Sequence, residues 1–83
     1  MAGHWFKLCP RCDGQGRLFI VRDCSTGRLY LHCEECEYGF RNPEACANIS
    51  DGFLAVGVRY DTPTQSEIEA NGWRRYAKHE MPE

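Results

Sequence analysis

The chain has 83 residues, a formal net charge of −2 and a sequence pI near 5.9. At that length one domain is expected, with a core so small that burial alone is marginal and a metal or disulfide staple is common. The mild acidity is unlike a phosphate-binding surface. No run resembles a signal-peptide core or a membrane span, so a cytoplasmic protein without a membrane partner is expected.

Taken in chain order, residues 4–8 (HWFKL) read as a short strand leading into the first cysteine pair. Residues 17–23 (RLFIVRD) carry the strongest strand pattern, with β-branched and aromatic residues bounded by turn residues. CSTG at 24–27 is the turn, and RLYLH at 28–32 returns as a second strand. Period-two alternation sets Leu29 and Leu31 on one face and Tyr30 and His32 on the other. Asn42-Pro43-Glu44 opens a short helix running to about Asn48. Residues 49–52 are turn-like, and FLAVGVRY at 53–60 is an apolar run that reads as a further strand weakened by Gly57. Two overlapping capping boxes, Thr62 with Gln65 and Thr64 with Glu67, start a C-terminal helix. Asn71-Gly72 ends it, which makes Ile68 and Trp73 the two residues that touch in a Schellman cap. Arg74, Arg75 and Lys78 then follow in a polar tail.

The six cysteines organise this pattern. Cys9 and Cys12 form one CxxC, Cys33 and Cys36 another, and the twenty residues 13–32 separate them. That spacing fits two metal-binding knuckles joined by a hairpin. Each CxxC turn points two sulfurs the same way, the hairpin brings the turns together, and four thiolates close a tetrahedral shell. One structural Zn²⁺ on Cys9, Cys12, Cys33 and Cys36 is the expected cofactor; the ligand type alone also allows iron. Gly14 and Gly39 are expected at positive φ just past each pair. His4, His32 and His79 are scattered, and His32 is read as flanking the site rather than binding. Cys24 and Cys46 are read as free thiols, with a disulfide between them or a second metal as alternatives. A saturated four-thiolate shell has no position for an activated water, so no catalytic residue and no enzyme is expected.

Residues 5–41 (knuckle, hairpin, knuckle) resemble a zinc ribbon. The fold class that follows is a small metal-stabilised α+β domain: a zinc ribbon with a further strand and a short C-terminal helix. The whole of 1–83 forms one unit, with the ribbon at 4–41, a helix and strand packed on it at 42–60, and the C-terminal helix and tail at 61–79. More loosely, CEECE at 33–37 and EIEANGW at 67–73 resemble small bacterial zinc-ribbon proteins found beside polymorphic toxins, some of them immunity-like. CPRCDGQG at 9–16 also resembles the CxxCxGxG repeat of J-protein chaperones. The second pair lacks that repeat and no third or fourth pair exists, so that likeness is local.

Glu34, Glu35 and Glu37 crowd a knuckle that metal binding makes still more negative. They are the candidate partner-binding residues, suited to a basic protein. The function expected is a non-catalytic protein-interaction module, immunity-like in its specific form, with a basic toxin domain as partner. The alternative is a nucleic-acid-binding or transcription-associated zinc ribbon. It would use Arg17, Arg22 and Arg28 with Phe19 and Tyr30 between them.

Overall fold

The fold is built around two paired strands, β2 (Arg17–Asp23) and β3 (Leu29–Cys33), antiparallel with Leu18 opposite Cys33 and Arg22 opposite Leu29. The computed structural model describes residues 3–46 and 48–81. Strand β1 (Gly3–Leu8) lies on the other side of β2, with Trp5 opposite Phe19 and Leu8 opposite Arg17. That register gives β1 one extra residue, a bulge just before the first cysteine. Strand β4 (Tyr38–Phe40) adds to β3, and β5 (Phe53–Leu54) adds to β4. Strand β6 (Tyr60–Asp61) pairs with Arg22 and Asp23, along the part of β2 that β1 does not reach. All pairings are antiparallel, in the order β5-β4-β3-β2-β1-β7, with β6 off that path; β7 is described below.

Both faces of the hairpin are buried, and the expected alternation is what divides them. Leu18, Ile20, Leu29, Leu31 and Cys33 lie in one cluster with Phe40, Cys46, Ile68 and Tyr76. Phe19, Val21 and Tyr30 lie in the other with Ala55, flanked by Trp5, Phe53, Val58 and Tyr60. The apolar run 53–60 therefore serves as a cover, and it is not one strand. Its ends pair as β5 and β6, while the Val58 N–H donates to the Ala55 carbonyl at 3.1 Å to make a turn through Gly57. A continuous strand would have run past the face that Ala55 and Val58 must close.

The helix expected from Asn42 is shorter and tighter. Pro43–Ala45 is a single 3-10 turn whose Asn42 side chain accepts from the Glu44 N–H, and Cys46 then drops into the core. Asn48 caps a second such turn, Ile49–Asp51. Residue 47, within the expected helix, lies outside the described residues.

Of the two overlapping capping boxes, Thr64 with Glu67 is the one that forms. It starts α1 (Gln65–Ala70): the Glu67 N–H donates to Thr64 Oγ1 at 3.1 Å, and the Thr64 N–H donates to Glu67 Oε1 at 2.8 Å. Gly72 adopts φ +76°, and the Trp73 N–H donates to the Ile68 carbonyl at 2.9 Å. The Schellman cap thus closes as the sequence predicts, with Ile68 buried and Trp73 packed on the same cluster. Thr64→Ala is expected to lower unfolding free energy by about 1 kcal/mol, read by denaturant titration.

The polar tail is corrected. Arg74–Tyr76 form a 3-10 turn that buries Tyr76 edge-on to Phe6, with ring centroids 5.3 Å apart. The chain continues as β7 (His79–Met81), an edge strand on β1 in which His79 stacks on Trp5 at 4.1 Å. Tyr76 is the reason: an aromatic ring among charged residues carries enough apolar area to bring its segment back to the sheet. Among the described residues no helix is long and apolar enough to cross a membrane.

Candidate metal centre

The first knuckle begins where β1 ends. The Cys9 N–H donates to the Gly16 carbonyl at 2.8 Å, and the Gly14 N–H donates to the Cys9 carbonyl at 2.9 Å. Asp13 and Gly14 both adopt positive φ, 53° and 78°, which curls the backbone around the sulfurs. In the second knuckle the Glu37 N–H donates to the Cys33 carbonyl at 3.1 Å, and the Cys36 N–H points at Cys33 Sγ from 3.4 Å. Here the left-handed residue is Glu37, at φ 57°, and not Gly39 as the sequence suggests. Gly39 answers a different need: a Cβ there would come within 2.7 Å of the Phe53 ring.

The four sulfurs of Cys9, Cys12, Cys33 and Cys36 all lie within 4.8 Å of one another. Cys9 and Cys36 are 3.8 Å apart across the knuckles, and Cys12 and Cys33 are 3.6 Å apart. A tetrahedron with metal–sulfur bonds of about 2.3 Å has sulfur–sulfur edges of about 3.8 Å. The donor set therefore fits one metal ion. Each knuckle contributes one fully buried ligand, Cys9 or Cys33, and one half-buried ligand, Cys12 or Cys36.

The protonation preferences of these thiols point to the same charge requirement. Burial pushes Cys33 up to about 12 and raises Cys9 as well. Cys36 is brought down to about 7: burial opposes ionisation, but the Tyr38 N–H, neighbouring thiols and the Arg11 side chain outweigh it. Two inner sulfurs thus hold their protons unless a cation replaces them, and a divalent ion supplies that charge.

Two further residues, Gly16 and Arg11, complete the surroundings of the four sulfurs. A Cβ on Gly16 would sit 2.5 Å from Cys33 Sγ, so that position accepts no side chain while the sulfur stays in place. Arg11, between the first two ligands, helps to hold the Cys36 pKa down and lies 4.6 Å over the Tyr38 ring. Its place inside CPRC was the available signal.

His32 faces away from the site, on the opposite side of β3 from Cys33. Its Nδ1 is 3.1 Å from the Tyr30 hydroxyl and its ring stacks against Tyr60 at 4.3 Å. Burial lowers its pKa, with Glu37 acting weakly the other way. None of the six cysteines is in a disulfide: Cys24 is exposed on the hairpin turn, and Cys46 is buried in the cluster that includes Ile68.

The three glutamates differ in their surroundings. Glu34 is held by Arg17 through two side-chain hydrogen bonds of 2.5 and 3.0 Å. Glu37 is 4.0 Å from His32, and Glu35 is exposed, with no ion pair among the described residues. On the hairpin, Arg22 is gripped by Asp61 at 2.7 and 3.0 Å, while Phe19 and Tyr30 are only 7% and 2% exposed.

No protein-family model matches the chain, and no curated protein or solved structure matches it. What its own geometry establishes is a small, mostly antiparallel sheet domain with one short helix and four cysteines positioned to bind one metal ion.

Proposed function

We propose that the chain is a non-catalytic zinc-ribbon protein that works by protein–protein contact. In this reading the acidic knuckle docks on a basic partner, and the specific form is an immunity-type inhibitor covering a basic bacterial toxin domain. The observation that carries it is the charge asymmetry of the site. Among the described residues neither Glu35 nor Glu37 is paired with an arginine or lysine, and Glu37 has only the buried His32 at 4.0 Å, beside a centre whose four thiolates outweigh a divalent ion. Most of the hairpin features that would serve nucleic acid are committed elsewhere, Arg17 to Glu34, Arg22 to Asp61 and both aromatic rings to the core, which leaves Arg28 alone of that set without a carboxylate partner among the described residues. Zinc at this centre would be structural, since four sulfurs leave it no open coordination position.

A pull-down from the source cell, wild type against Glu35→Lys/Glu37→Lys, tests the proposal. A basic protein should be retained by the wild type and bound at least roughly tenfold more weakly by the charge-reversed variant. Retention of nucleic acid instead, at sub-micromolar affinity with a steep salt dependence, would establish the opposite reading.

A further inference from the structure

We infer that the turn end of the β2–β3 hairpin, away from the cysteines, is a binding site for a terminal phosphate or carboxylate group. A cavity of about 460 Å³ opens there, lined by Asp23, Thr26, Arg28, Leu29, Tyr30 and Arg41. Its size is that of a small-ligand pocket. The site goes beyond the protein-contact reading, which concerns the other end of the hairpin.

Two arginines, Arg28 and Arg41, line this cavity, and neither has a carboxylate within ion-pair distance among the described residues; the arginine pairs that do form use Arg17, Arg22 and Arg75. Arg41 is held in place by lying 4.0 Å over the Phe53 ring, so its donors are already oriented. The Thr26 hydroxyl accepts from the Arg28 N–H at 3.2 Å, which leaves its own proton free to donate. Leu29 and Tyr30 supply an apolar wall, and the Tyr30 hydroxyl is turned to His32.

Asp23 is the counter-argument, since its carboxylate lines the same cavity. Its Oδ1 is occupied by the Ser25 N–H at 2.9 Å and the Ser25 hydroxyl at 2.7 Å, which fixes the turn. Against this single anion stand two guanidinium groups, so the cavity keeps a net positive charge. The fork of an arginine matches oxyacid oxygens two at a time, and two forks around one pocket select such a group over a halide.

The test uses the full chain purified with its metal. Inorganic phosphate and, separately, acetate are titrated in at constant ionic strength while backbone amide resonances are followed by NMR. Saturable shifts confined to Thr26, Arg28, Leu29, Tyr30 and Arg41 are expected. Saturation by phosphate alone assigns a phosphate ligand, and saturation by acetate assigns a carboxylate. Arg28→Gln, a replacement on an exposed turn, should weaken binding roughly tenfold, as should Arg41→Gln. Arg74→Gln, in the 3-10 turn after α1, should leave it unchanged. Absence of saturable shifts with either anion would overturn the site, as would binding that survives both pocket substitutions in variants with native amide dispersion.

Discussion

Stripping the metal with a strong chelator is expected to unfold the domain. The two inner ligands, Cys9 and Cys33, are completely buried, and the strands attached to them form one flank of the larger core cluster. Without a cation the sulfurs either keep their protons and lose their common centre, or ionise and repel one another at 3.6–3.8 Å. The apparent binding free energy of structural zinc sites is about 10–16 kcal/mol. A domain's whole stability is about 5–15 kcal/mol, and small cores fall at the low end. The metal contribution therefore exceeds what remains without it. Circular dichroism of the chelated protein should lose its cooperative melt, and Cys33→Ser should reproduce that loss in untreated protein. Elemental analysis should return one zinc per chain; one iron would keep the site and change the ion. An apo protein with an unchanged melting temperature would show that the metal does not hold the fold.

Gly16→Ala is expected to damage the same centre without touching a ligand. The new methyl would lie 2.5 Å from Cys33 Sγ and 3.0 Å from the first two side-chain carbons of Glu35. Neither partner of the clash moves easily. The Gly16 carbonyl is tied to the Cys9 N–H at 2.8 Å, and the sulfur is fixed by its three companions. Overpacking of this kind costs about 1–3 kcal/mol. Disturbing the support of a metal ligand lowers metal affinity by roughly 10–100-fold. Gly57→Ala is the control: a Cβ there meets nothing within 4 Å and the backbone is outside the left-handed region. It should be neutral or stabilise by up to about 1 kcal/mol, because alanine restricts the unfolded chain. Chelator competition reads the first variant and thermal melting reads both. Equal metal retention by Gly16→Ala and wild type would mean that the sulfur has room to retreat.

The metal site was legible because its signal is local. Two CxxC pairs and the strands between them determine one another, and the hairpin forms with the expected alternation, Leu29 and Leu31 opposite in face to Tyr30. The Schellman cap was legible for the same reason, since all its partners lie within six residues. The features that escaped were the ones set by distant partners. Gly39 looked like a turn glycine, but Phe53 crosses it. Residues 53–60 have strand composition, yet the face they cover required a turn in the middle. Arg17 and Arg22 looked like a nucleic-acid stripe until Glu34 and Asp61 arrived from 17 and 39 residues away. The tail looked solvated because charge surrounds Tyr76 on both sides, yet its ring joins the larger core cluster, edge-on to Phe6 and Trp73.

The pairing of β7 with β1 has a kinetic consequence. Gly3 opposite Met81 joins opposite ends of the described chain, the most distant closure in the sheet. Bringing such distant segments together first would carry the largest loop-closure entropy in the molecule. The hairpin and its clamp need far shorter loops, so they can form while the remainder is unstructured. With Cys9 tied to Cys36 through a bound metal, β1 would already be anchored beside β2, and the segment to be closed would start at the second knuckle instead of at Gly3. An ion held there would shorten the search for the last strand, and the edge formed by β7 is the part of the sheet expected to assemble last and to fray first.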